Sequence, residues 1–303
     1  MTLFDSLIDQ WGGRAAFRAA LGDRRLHGRL PVAAVESLIS WDGVAEILVG
    51  QRLNPPHLKV VKSAGRPVAP GRYMDRDSSP RRTNVPMVDL ARLREVLRGG
   101  ATLVVDNIDE MVPAIGHCAW ELSEIVHEIV QCHMYATAGD VPAFPPHWDV
   151  VDVLIVQVQG SKHWDVYGPG TRNPIDAATD PDNTCPDEPE WSGVLEPGDV
   201  LYLPRGWYHG VRGVGGTTMH LSFGFQSQTG LHYLKWLSAL ARKAAPFRMD
   251  IPKSGDEEDV TRHEKALVEC LGQLIREHPV REYLAVHTEK LTPPDAPHLD
   301  GLS

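Results

Sequence analysis

His147 and Asp149 are separated by one residue and lead straight into Val150-Val151-Asp152-Val153-Leu154-Ile155-Val156-Gln157-Val158-Gln159, a run dominated by β-branched residues. On an extended chain the side chains alternate between faces, so His147 and Asp149 share one side and Trp148 takes the other. The run behind them favours a strand. Two ligand-type side chains at the mouth of a sheet can hold one metal ion only if the fold returns a third ligand. The chain must therefore build a largely β architecture that brings a later strand beside this one.

That later strand is legible further on. Pro197-Gly198-Asp199 is a turn, Val200-Leu201-Tyr202-Leu203 a short strand, and Pro204-Arg205-Gly206 a second turn, after which Trp207-Tyr208-His209 is extended. His209 can present an imidazole inward. His220, in Thr218-Met219-His220-Leu221-Ser222, is a rival third ligand on a later strand whose alternate residues face inward. Two histidines and one carboxylate leave coordination positions open, which suits a non-haem Fe(II) centre. A His-x-Asp pair alone is a frequent chance occurrence, and most isolated histidines are surface or core residues.

Lys162 adds weight. It follows Gly160, which reads as the end of the first strand, and it opens what reads as the next, antiparallel one. It lies between the apolar stretches Val151–Val158 and Trp164–Tyr167, where a cation calls for a buried anionic partner such as a cosubstrate carboxylate. The bland alternative is a solvated lysine in a hairpin turn.

Together, His147-Trp-Asp149, Gln157-Val-Gln-Gly-Ser-Lys162-His-Trp and Pro197-Gly-Asp-Val-Leu-Tyr-Leu-Pro-Arg-Gly-Trp-Tyr-His209 resemble the JmjC-type 2-oxoglutarate oxygenases. Within these, the chain is most similar to the cupin-like branch that includes the ribosomal oxygenases. The resemblance covers roughly Leu30 to Gln226. It implies a mainly β fold with flanking helices: a double-stranded β-helix, or jelly roll, followed by a C-terminal helical segment. It further implies Fe(II) held by His147, Asp149 and His209, and 2-oxoglutarate anchored through its distal carboxylate by Lys162. Tyr135 falls where the family places a pocket-lining tyrosine, and Ser222 or His220 would line the cosubstrate pocket. The family's turn before His209 favours His209 over His220 as third ligand.

The implied activity is hydroxylation of a side chain in a peptide or protein, with release of succinate and CO2. Narrower versions are a ribosomal-protein hydroxylase and a hydroxylase of a free amino acid or small natural product. The branch resembles hydroxylases more than histone demethylases. A non-catalytic cupin-like binding protein, and a metal-dependent isomerase or dioxygenase that needs no 2-oxoglutarate, are alternatives that Lys162 disfavours. The family commonly has Asn-x-Tyr-x-Thr-Pro before the metal motif, whereas this chain has His133-Met134-Tyr135-Ala136-Thr137-Ala138. Too little chain follows the helices for the winged-helix domain of the ribosomal oxygenases, which points away from a ribosomal substrate.

The remaining chain sets bounds. A formal net charge of −10 argues against bulk nucleic-acid binding. Cys118, Cys132, Cys185 and Cys270 show no paired spacing, which favours a reducing cytoplasm. No apolar run is long enough to span a membrane. The expected domains are 1–226, catalytic with an N-terminal helical extension, and 227–303, helical, with a family-based expectation of homodimerisation. Residues 1 to about 30 read as helical, 45 to 86 as short strands and loops, and 89 to 97 as a helix stopped by Gly99-Gly100. Gly65 to Arg82 reads as an exposed connection and Leu291 to Ser303 as a loose tail. Gly168 to Gly193 carries Asp176, Asp180, Asp182, Asp187, Glu188 and Glu190. It reads as a surface loop that could steer a basic peptide substrate, or simply as a solvated loop.

Overall fold

The computed structural model describes residues 2–51, 53–75, 86–170, 173–175, 184–253, 256–289 and 291. The chain divides into two compact units, Met1–Gln226 and Ser227–Ser303.

The first unit is built on antiparallel strands, with helices interspersed. In chain order the strands are β1 (Leu26–Arg29), β2 (Leu58–Lys62), β3 (Arg66–Pro67), β4 (Met74–Asp75), β5 (Met87–Val88), β6 (Thr102–Val105), β7 (Val130–Ala138), β8 (Asp152–Pro169), β9 (Trp191–Leu195), β10 (Asp199–Leu203) and β11 (Trp207–Phe225). The helices are α1 (Leu3–Gln10), α2 (Arg14–Ala20), α3 (Val32–Glu36), α4 (Trp41–Gly50), α5 (Leu90–Arg98) and α6 (Pro113–Val126). The main sheet runs β1-β10-β8-β11-β7-β6-β2-β3, and β9 adds to β8.

Two long strands organise the site. β8 and β11 pair along almost their whole lengths, with a register shift between Val214 and Met219. The first half of β8 also pairs with β10, and its second half with β9. Ile155 and Trp164 of β8, and Val211 and Ser222 of β11, all line one cavity. Each long strand thus bends to supply both walls of the β-helix.

Gly160 makes the bend in β8. Its φ is +61°, and a Cβ there would lie 2.2 Å from the Thr217 carbonyl oxygen. The expectation that Gly160 ends a strand and Lys162 opens an antiparallel one is corrected: β8 continues through the glycine, and its two halves pair with β11 rather than with each other. Gly160→Ala is expected to cost at least ~2 kcal/mol, lowering Tm by roughly 4–8 °C. Calorimetry checks this; an unchanged Tm would contradict the close approach.

The helices cover the outer face of the sheet. Phe4, Leu7 and Ile8 of α1 are buried, and Phe4 meets Phe223 of β11 edge-on at 5.4 Å. Phe17 of α2 meets Tyr202 of β10 at 5.6 Å. Tyr202 donates its hydroxyl to buried Asp152 at 2.6 Å and accepts from the Gly22 amide at 3.0 Å. Alternation on β7 divides the two sides: Val130, Cys132, Met134 and Ala136 are buried in this core, while Gln131, His133, Tyr135 and Thr137 face the cavity.

Several local expectations change. The N-terminal segment is two short helices broken at Gly12-Gly13, and Leu26–Arg29 is a strand because it pairs with β10. Helix α4 extends into the region read as strands and loops. α5 forms with Asp89 as its cap, donors coming from the Ala91 and Arg92 amides. α6 ends at Val126, its cap residue His127 lies in the left-handed region at φ +59°, and β7 starts at Val130.

The second unit is helical: α7 (Gly230–Ala241), α8 (Glu257–Glu277) and α9 (Val280–Thr288). Tyr233 donates to the His278 carbonyl at 2.6 Å, and Tyr283 packs on Trp236 at 5.6 Å. Among the described residues no helix is long and apolar enough to cross a membrane. Asp176, Asp180 and Asp182 of the acidic loop, Arg76 to Arg82 of the exposed connection and 292–303 of the tail lie outside the described residues.

Candidate metal centre

His147, Asp149 and His209 come together, with one ligand atom from each within 4.8 Å of the others. Backbone pairing holds them there. His147 and His209 exchange both backbone hydrogen bonds, at 3.1 and 2.8 Å, and the Gly206 amide donates to the Asp149 carbonyl at 2.9 Å. The extended His-x-Asp geometry is therefore confined to one bridge, and 207–209 proves to be the start of a long strand rather than a short stretch.

The two imidazoles are oriented alike. His147 Nδ1 lies 3.0 Å from the Pro145 carbonyl, and His209 Nδ1 lies 3.0 Å from the Trp207 carbonyl. A carbonyl only accepts, so each Nδ1 carries the proton and each Nε2 is left with its lone pair. A hydrogen bond of this kind on the far ring nitrogen fixes the tautomer in which a histidine can bind a metal. His209 Nε2 lies 3.7 Å from Asp149 Oδ2. Burial, partly opposed by the Asp149 charge, holds the His209 ring below its ordinary pKa, so it stays neutral and able to coordinate. Two imidazole nitrogens and one carboxylate, opening onto a cavity, fit a divalent first-row metal with free coordination positions.

The cavity measures about 440 Å³. Lys162 lies in its wall, only 3% exposed. Its Nζ donates to His220 Nδ1 at 2.8 Å and to the Tyr135 carbonyl at 3.3 Å. Among the described residues no carboxylate forms an ion pair with it. Burial alone pushes the Lys162 pKa down to about 7. A buried ammonium without an anion is costly, and such a group in a cleft marks a binding site.

His220 is not part of the three-residue cluster. It contacts Lys162, its ring stacked on Tyr135 at 5.0 Å and edge-on to Trp164 at 5.5 Å. Burial and the neighbouring Lys162 charge hold its pKa well below the ordinary value. Tyr135 and Ser222 both line the cavity, Ser222 opposite His133 in the β7–β11 register. His133 is positioned from behind: the Asn107 amide donates to its Nδ1 at 3.3 Å and the Asp106 carboxylate lies 3.4 Å away. Asp106 also pairs with Lys59. Neither this array nor the Lys162–His220 contact was readable beforehand, because each joins residues far apart in the chain. The strand alternation that places His133 and Tyr135 on one face was the available signal.

Two histidines, a carboxylate and a buried lysine thus meet around one cavity of the antiparallel β fold. Residues 112–233 match the family model of the JmjC domain. The bifunctional lysine-specific demethylase and histidyl-hydroxylase NO66 of Drosophila persimilis is 31% identical over 110 residues, covering 36% of this chain and 16% of that protein. Its Caenorhabditis elegans counterpart is 34% identical over 102 residues, covering 31% and 14%. The matched part is thus about a sixth of the length of these relatives. Among solved structures, Escherichia coli ycfD aligns over 91% of this chain and 68% of its own with a TM-score of 0.53 at 18% identity. The Escherichia coli ribosomal oxygenase YcfD in complex with cobalt and 2-oxoglutarate aligns over 84% and 64% with a TM-score of 0.51, also at 18% identity. These two share the fold of this chain.

Proposed function

We propose that this protein is an Fe(II)- and 2-oxoglutarate-dependent hydroxylase acting on a side chain within a peptide or protein. The observation that carries the proposal is the set of His147, Asp149 and His209 sharing a cavity with a buried lysine that, among the described residues, pairs with no carboxylate. The cobalt and 2-oxoglutarate of the YcfD complex and the hydroxylase named in NO66 support it.

Bound Fe(II), with 2-oxoglutarate and oxygen, supplies the oxidising chemistry that places a hydroxyl on a C–H bond and releases succinate and CO2. The chain's own part is positioning. His147, Asp149 and His209 would hold the metal from one side, leaving the other side open to the cavity. The Pro145 and Trp207 carbonyls keep both Nε2 atoms aimed at it. Lys162 would neutralise the distal carboxylate, with Tyr135 and Ser222 on the same wall. Val153, Ile155, Phe144 and Val211 supply apolar walls that exclude water. Gln131 and His133 present hydrogen-bonding groups for the substrate.

The substrate reading can be narrowed. A ribosomal protein is favoured by the name of the YcfD neighbours. The natural-product reading rests on the substitution of His133 for the family's asparagine. A basic substrate peptide fits the described acidic residues Asp187, Glu188 and Glu190. Exposed Leu231, Leu234, Ile275 and Leu284 on α7, α8 and α9 support a homodimer built through the helical unit. The four free cysteines fit a reducing cytoplasm.

Comparative mass spectrometry of cells with and without the protein tests the substrate. A ribosomal protein heavier by one oxygen atom only when the protein is present is the expected result. A shift confined to a small peptide would replace the ribosomal reading with the natural-product one. No oxygen-dependent modification of any protein or peptide would contradict both.

A further inference from the structure

His133 stands in the cavity wall with one ring nitrogen engaged and the other unmet. Its side chain is 30% exposed, whereas Lys162 is buried, so it belongs to the mouth of the cavity rather than its depth. The Asn107 amide, in the turn after β6, donates to His133 Nδ1 at 3.3 Å. A backbone N–H only donates, so Nδ1 holds a lone pair and the ring proton sits on Nε2. The Asp106 carboxylate lies 3.4 Å from the same Nδ1 and also pairs with Lys59. A second ring proton would meet Asp106 there and leave the Nε2–H in place. Nε2 is therefore a donor in both forms, and among the described residues no acceptor for it is found.

Ser222 supplies an independent observation. It is the cross-strand partner of His133 and lines the same cavity. Its hydroxyl can donate or accept, and among the described residues it has no side-chain partner. Residues directly opposed across strands hold their Cβ atoms about 4.5–5.5 Å apart, so both side chains reach one small group. Ile155 lies next to Ser222 on β8, and Val151 and Val153 line the same cavity. Their apolar surface suits the carbons of an entering side chain and offers the His133 N–H no acceptor.

A target side chain that enters here must bring a lone pair to the His133 Nε2–H. Arginine and lysine carry donors only, and aliphatic side chains carry neither donor nor acceptor. Each would shut water out and leave the N–H unmet, which is costly. A carboxylate would bring a charge to a wall whose nearby cation, Lys59, is already paired with Asp106. A carboxamide or a neutral imidazole brings an acceptor for His133 and an N–H for the Ser222 oxygen, without a charge.

We propose that His133, together with Ser222, selects asparagine, glutamine or histidine as the residue that is hydroxylated, and rejects arginine and lysine. This rests on the reading of the cavity as the site of a protein hydroxylase. Asn107, Asp106 and Lys59 act through His133, by holding its ring with Nε2–H toward the target.

The test uses proteins extracted from cells that lack this protein, incubated with the Fe(II)-loaded enzyme, 2-oxoglutarate and oxygen. Mass spectrometry locates each oxygen gained beyond an enzyme-free control. A synthetic peptide spanning the site found then gives kcat/KM for wild type, His133→Gln and His133→Met. Glutamine places an amide N–H near the Nε2 position, and methionine has similar length and no donor.

The oxygen is expected on an asparagine, glutamine or histidine. His133→Met is expected to lower kcat/KM by roughly 10-fold or more, the loss of one hydrogen bond that leaves its partner unmet, and His133→Gln to recover most of it. The same peptide with arginine at the target position should not be modified. Oxygen on any other residue type, arginine and lysine above all, would overturn the proposal and leave the hydroxylase reading standing. So would wild-type kcat/KM in His133→Met, or equal losses in the two variants, which would mark a structural role. No oxygen gained in any protein would overturn the hydroxylase reading beneath the proposal, and the proposal with it.

Discussion

Replacing His209 with alanine is expected to weaken Mn(II) binding at least ~100-fold, since even outer-shell changes around a metal cost 10–100-fold. Among the described residues no other His, Cys, Asp or Glu joins His147 and Asp149 in a group of three. His220, the other buried histidine in the cavity wall, is engaged with Lys162, and its ring stacks on Tyr135. The backbone bridge between His147 and His209 does not depend on the imidazole, so His147 and Asp149 stay in place. Isothermal titration with Mn(II) measures the loss, and metal-dependent succinate formation should vanish with it. Retained Mn(II) affinity would place the third ligand elsewhere.

Lys162→Met is expected to move stability and binding in opposite directions. Among the described residues no carboxylate pairs with this buried amine, and burial lowers its pKa from 10.5 to about 7. Between those two values the unfolded chain binds a proton that the folded chain does not. The stability contributed by this site therefore rises with pH across the window and is lowest at pH 7 and below. Methionine removes the penalty, and replacing buried ionic groups with well-packed apolar side chains is often neutral or stabilising by about 1–4 kcal/mol. The metal-free variant should melt several degrees above wild type at pH 7. The gap should shrink as the pH rises toward 10.5. Binding of 2-oxoglutarate to the Mn(II)-loaded variant should weaken by about 2–5 kcal/mol, the cost of removing one partner of a buried charge pair. Melting curves across pH and calorimetric titration measure the two effects. A variant that is destabilised at every pH, or that binds 2-oxoglutarate as wild type does, would contradict the assignment of Lys162 as an anchor held ready at a cost in stability.

The parts of the site readable from sequence are those set by local geometry. One-residue spacing explains His147 and Asp149, and paired turns explain the delivery of His209. Alternation on β7 puts His133, Tyr135 and Thr137 on one face. The parts that were not readable depend on register. Leu26–Arg29 lacks strong strand character and becomes a strand only through pairing with Asp199–Tyr202. Gly160 looks like a terminator, yet its positive φ lets one strand serve both walls. The meeting of Lys162 with His220, 58 residues apart, follows from that bend and from the shift between Val214 and Met219. Spacing alone could therefore suggest His220 as a ligand, while the fold gives it to the lysine.

The most direct test of the account is conversion of 2-oxoglutarate to succinate by the purified Fe(II)-loaded protein, followed with and without oxygen. Succinate formed only with iron and oxygen, and abolished in both His209→Ala and Lys162→Met, is the predicted result. Tight metal binding with no conversion of 2-oxoglutarate, in the presence of cell extract supplying substrate, would contradict it and leave a metal-binding β-helix of different chemistry.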